Sequence, residues 1–94
     1  GQIENVYRIQ IMNAAEKPFH FKLAVQGLPG LVVATEDDVR VEATQSRWVS
    51  VRLQMPYDAA APGSHPIHFH IQSYEDGVKV VGELEEKSVF LVPR

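Results

Sequence analysis

The chain contains no cysteine. It can therefore form no disulfide, no thiolate zinc site and no cysteine nucleophile, and the count does not separate a reducing compartment from an oxidising one. No apolar run approaches the length of a membrane-spanning helix, and no charged-then-apolar leader precedes the first strand-like run, so the sequence taken literally is that of a soluble protein. Positive charge is also scarce. Nine Lys and Arg against twelve Asp and Glu give a formal net charge of -3, and scattered cations make no footprint for nucleic acid. There is no glycine-rich phosphate loop. Ser46, Ser50, Ser64, Ser73 and Ser88 lie in no nucleophile elbow and beside no local histidine-acid signature.

What is present is a strand-forming sequence. Of the 94 residues, 45% are hydrophobic and 22% charged, close to the average for a folded domain, and the length suits one domain over residues 1–94. Roughly fifteen inward side chains, each contributing about 1.5 to 3 kcal/mol on burial, offset most of the ordering entropy and leave a small surplus. The chain opens on Gly1 without methionine and enters a strand almost at once, which suggests a piece of a longer or processed polypeptide.

The stretch Glu4 to Leu31 organises the rest. Successive strand side chains point to opposite faces, so in Val6 to Met12 the residues Tyr7, Ile9 and Ile11 share one face and Arg8 and Gln10 the other. After the polar break Asn13 to Pro18, Phe19, Phe21, Leu23 and Val25 oppose His20, Lys22 and Gln26. Two such runs around a short polar loop read as antiparallel partners, with Asn5 and Asn13 at turns. Gly27-Leu28-Pro29-Gly30 then stops the second strand.

Further strands are expected at Leu31–Ala34, Val39–Ala43, Arg47–Leu53 and Ser64–Tyr74. The acidic Glu36-Asp37-Asp38 is a cation site or an exposed loop, and the lack of spaced oxygen ligands and a glycine bend weighs for the loop. Met55 to Gly63 is the longest irregular segment and reads as a connection between sheets. Glu75-Asp76-Gly77 signals a tight hairpin, Val78 to Leu84 returns, Glu85-Glu86-Lys87 reads as a second turn, and Ser88 to Val92 as a last strand. Seven or eight strands, turns about every ten residues and no helix predict an all-β, immunoglobulin-like sandwich of antiparallel sheets.

Two features carry chemical potential. On the strand Ser64–Tyr74, His68 and His70 point the same way, opposite Ile67, Phe69 and Ile71, and such a pair can hold copper, zinc or nickel, with His65 or His20 as a third donor. Two imidazoles are fewer than a metal centre normally needs, and the alternative is two polar occupants of a solvated face. Trp48, on the polar face of its strand, marks a partner or sugar surface or else folds over the sandwich edge. Tyr57 and Tyr74 are further isolated candidates for stacking on sugars.

The string Ile3-Glu4-Asn5-Val6-Tyr7-Arg8-Ile9-Gln10-Ile11-Met12-Asn13 and the turn Gly27-Leu28-Pro29-Gly30-Leu31 resemble the C-terminal immunoglobulin-like domain of the FixG/CcoG family of cytochrome c oxidase accessory proteins. Pro66-Ile67-His68-Phe69 and Ser88-Val89-Phe90-Leu91-Val92-Pro93 look like that domain too. The resemblance implies a parent in the bacterial inner membrane that carries iron-sulfur clusters, with this soluble domain on the periplasmic side. It further implies service in assembly of the cbb-type oxidase and in copper handling, with oxidase subunits or assembly factors as protein partners. No cluster cysteine is present, so the fragment is expected to hold no cofactor of its own, copper at His68 and His70 apart, and to be no enzyme. Alternatives are a histidine-based copper module and a carbohydrate-associated sandwich of a secreted enzyme.

Overall fold

An alternating strand must cover its oily face, and two sheets laid face to face do so for all strands at once. The computed structural model describes residues 1–75 and 79–94 and has this arrangement, with seven strands: β1 (Gln2–Met12), β2 (Phe19–Gln26), β3 (Val32–Val33), β4 (Asp38–Val41), β5 (Ser46–Pro56), β6 (Gly63–Glu75) and β7 (Lys79–Val92). One sheet has three strands in the order β1-β5-β3, the other four in the order β4-β2-β6-β7. All pairings are antiparallel. The Asp76-Gly77 turn expected from the sequence, and Val78 after it, lie outside the described residues.

The predicted pairing of β1 with β2 is wrong. β1 pairs with β5 along its whole length, Gln2 with Pro56 through Met12 with Ser46, whereas β2 lies between β4 and β6 in the other sheet. Alternation reveals which face of a strand is buried and is silent on whether the next strand lies beside it or across the core. Here the loop after Met12 crosses between sheets. Asn13 secures the crossing: it is buried, its amide Nδ2 donates to the carbonyls of Lys17 (2.9 Å) and Val41 (3.1 Å), and its Oδ1 accepts from the Ala15 amide at 2.9 Å.

Three further expectations are corrected. Asn5 is no turn residue, since β1 begins at Gln2. Met55 and Pro56 belong to β5, and Met55 is fully buried. The expected turn at Glu85-Glu86-Lys87 does not exist, because β7 runs unbroken from Lys79 to Val92. That segment has no glycine or proline to reverse the chain, and its charges suit a strand at the edge of a sheet.

The interior has two linked clusters. Ile3, Val51, Leu53, Met55, Ile67, Phe69, Phe90 and Val92 form one. Ile11, Phe21, Leu23, Val39, Val41 and Ile71 form the other, and Ile9 and Val49 pack against both. The Tyr7 ring meets Phe69 edge-on at 5.2 Å. Gly27 (φ 134°) ends β2 where a Cβ would stand 2.8 Å from the Pro66 carbonyl. The body measures 47 × 22 × 21 Å, and Gln2 and Arg94 border the same hollow, so residues 2 and 94 lie close together.

Candidate functional site

The histidines divide between faces. His68 and His70 stand on the outer face of β6, opposite Gln26 and Ala24 of β2 and Lys87 and Glu85 of β7. At about 3.3 Å per residue they are roughly 7 Å apart along the strand. His70 Nε2 is 3.9 Å from a carboxylate oxygen of Glu83, which also accepts from Gln72 at 2.9 Å. His65 has the opposite parity and shares the inward side with Ile67, its Nε2 2.6 Å from the Ala61 carbonyl oxygen. It therefore cannot join the pair. His20 is opposite Tyr74, four residues or about 13 Å from His70, and its Nδ1 lies 3.1 Å from Asp38. Among the described residues no three His, Asp or Glu side chains gather to hold a metal ion.

Trp48 is on the outer face of the three-stranded sheet and 57% exposed. Arg8, one strand over on β1, places its guanidinium 5.2 Å from the centre of the indole. Strand β3 pairs with Gln54 and Leu53 of β5, and the chain after it bonds Arg52 through Ala34 and Thr35. Beyond Arg52, the flank of β5 at Ser50 and Trp48 has no strand partner among the described residues. It forms a cleft with Asp38 and Arg40 of β4, which Arg47 spans by donating to the Arg40 carbonyl at 3.1 Å. The aromatic residues do not assemble into a platform for a sugar chain. Tyr57 follows the far end of β5, about 30 Å along the strand from Trp48, and Tyr74 lies on the other sheet, its hydroxyl donating to Gln72 at 2.9 Å.

The opposite flank, between β1 and β7, is closed along half its length. Asn5 behaves there as a surrogate peptide group: Nδ2 donates to the Leu91 carbonyl at 3.1 Å and Oδ1 accepts from the Leu91 amide at 2.9 Å. The Tyr7 hydroxyl donates to the Val89 carbonyl at 2.7 Å, and desolvation of the ring raises its ionisation above the ordinary value. Farther along, β1 and β7 part, and a groove opens between Tyr7–Met12 and Gly82–Ser88. Neither the clasp nor the groove was foreseen from the sequence. The available signal was Asn5 itself, a polar residue in the inward parity of Ile3 and Tyr7.

The model of the family described as "IG-like fold at C-terminal of FixG, putative oxidoreductase" matches residues 1–93. The chain belongs to this FixG C-terminal family. A solved structure of a FixG-related protein from Vibrio parahaemolyticus superposes with a TM-score of 0.81 at 19% identity, covering 96% of this chain and 79% of that one. SSP-19, an MSP-domain protein like family member of Caenorhabditis elegans, superposes with a TM-score of 0.57 at 14% identity, covering 92% and 85%. At these identities the two structures show a shared fold alone. No curated protein matches the sequence. The FixG C-terminal family supplies the immunoglobulin-like assignment expected from the strand pattern.

Proposed function

We propose that this domain is a non-catalytic docking module on the periplasmic side of the bacterial inner membrane. Its parent in this reading is a membrane-bound iron-sulfur accessory protein serving assembly of the cbb-type cytochrome oxidase. Membership of the FixG C-terminal family supports the link to the parent. The observation that carries docking is the pair of Arg8 and Trp48, an exposed indole held under a guanidinium beside an open strand flank. Tryptophan and arginine are the residue types that dominate binding hot spots, and here the stacking orders both side chains before a partner arrives.

The test is retrieval from detergent extract with the immobilised chain. Oxidase subunits or copper-handling proteins are expected on the wild type and lost with Trp48→Ala. Recovery of neither by the wild type removes the proposal. A second reading, copper binding, rests on His68 and His70 sharing one face of β6. Titration calorimetry with Cu(II) decides it, since an isotherm unchanged in His68→Ala/His70→Ala eliminates the pair as ligands.

A further inference from the structure

The flank between β1 and β7 changes character at Ser88. At the inward positions of β7, Val92 is 5% and Phe90 0% exposed, whereas Leu84, of the same parity, is 54% exposed. Sheet pairing does not cause the difference, because β6 runs beside all of these residues in one unbroken register from Gly82 to Val92. The cause is cover from the facing sheet. β1 is clasped to β7 through Asn5 and Tyr7 and then departs, leaving a groove lined by Ile9, Ile11, Phe69, Ile71 and Leu84.

The backbone of β7 is open over the same span. Peptide groups alternate in direction along an antiparallel strand. Since the N–H and C=O of Leu91 point away from β6 to meet Asn5, those of Lys87, Glu85 and Glu83 point away from β6 too. None of the described residues bonds to them. A free edge beside a groove that leaves Leu84 exposed at its rim is the arrangement that accepts an added strand.

The charges on the edge select what can be added. Glu83 and Glu85 stand on the outer face of β7, and Glu86 has the inward parity, opposite Phe69. Two copies of this chain pairing through β7 about a two-fold axis centred on the open edge would set like charges opposite each other: Glu83, Glu85, Glu86 or Lys87 against itself when centred there, and Glu83 against Glu85 when centred on Leu84. Like charges directly opposite are destabilising, so the edge disfavours its own copy and favours cations.

We infer that the Glu83–Lys87 edge of β7 receives an extended segment of a partner protein in which lysine or arginine alternates with apolar residues. The segment adds a fifth strand to the four-stranded sheet. Its basic side chains meet Glu83 and Glu85, and its apolar ones cover the groove beside Leu84. The inference deepens the docking reading and rests on it, while placing the contact on the flank opposite Trp48.

The test uses the 94-residue chain and a fluorescent peptide of alternating lysine and valine, with alternating glutamate and valine as the control, followed by anisotropy and by amide NMR shifts. Expected are binding of the lysine peptide only, weakening with salt, and shifts concentrated at Gly82–Ser88 and Tyr7–Met12. Glu85→Pro deletes an outward N–H that the β6 ladder does not use and should abolish binding. Glu83→Lys/Glu85→Lys, which leaves the backbone intact, should weaken it about tenfold. Equal binding of both peptides, shifts centred on Trp48, full affinity in both variants, or a β7-mediated dimer in sedimentation would each overturn the inference. Peptide binding by a wild-type chain that retrieves neither oxidase subunits nor copper-handling proteins would fail the parent assignment and leave the edge standing, whereas retrieval without peptide binding would fail the edge alone. Trp48→Ala should leave peptide affinity unchanged.

Discussion

Asn13 shows how much one buried amide can organise. It joins the crossing loop to the end of β4 through the Lys17 and Val41 carbonyls and the Ala15 amide. In Asn13→Ala a buried carbonyl at Val41 loses its partner, and the cost should be about 2 to 3 kcal/mol, read as a lower denaturant midpoint with unchanged slope. Tyr7 makes a smaller, pH-dependent contribution. Tyr7→Phe should cost about 1 kcal/mol near neutrality through the lost bond to Val89. Because burial raises the phenol above its unfolded value of 10.0, its stabilisation is complete below that pH and is lost as pH rises through the folded value. Thermal melts across the alkaline range should therefore fall more steeply for the wild type than for Tyr7→Phe. From the sequence, Tyr7 was visible as an inward aromatic, but its hydroxyl bond was not, since the acceptor lies 82 residues away.

Among the strands, β6 was the most legible, because Ile67, Phe69 and Ile71 alternate with His68, His70 and Gln72 and only one face is oily. β7 was misread as two short strands. Its run of charges imitates a turn, and only the absence of glycine or proline there distinguishes an edge strand from a reversal. The end of β2 was read correctly because its requirement is local. Gly27 at φ 134° faces the Pro66 carbonyl and the Ile67 Cα, which a Cβ would approach to 2.8 and 3.0 Å. Gly27→Ala should destabilise by more than about 1 kcal/mol, measurable as a drop in melting temperature.

For the whole molecule, the inward stripes specify a sandwich and the buried residues bear that out, yet no stripe states which strands are neighbours. The antiparallel partnership of β1 and β5 joins Gln2 to Pro56, a separation that no local signal spans. The flanks of the sandwich were illegible for the same reason, since a groove exists only once two sheets have been placed. The core itself leaves little margin. Phe90 is fully buried in the larger cluster, and Phe90→Ala should cost about 3 to 5 kcal/mol out of a total stability of about 5 to 15 kcal/mol for a domain of ordinary size. Its melt should move down sharply or lose its cooperative step.

The clasp of Asn5 and Tyr7 on β7 also sits where the two ends of the polypeptide emerge together. Between β1 and β7, a load pulling those ends apart would meet the Leu91 bonds before the Val89 bond, as a zip opens from its tab. Under tension the domain should yield sequentially at low force, and its resistance should depend on Asn5 far more than its equilibrium stability does.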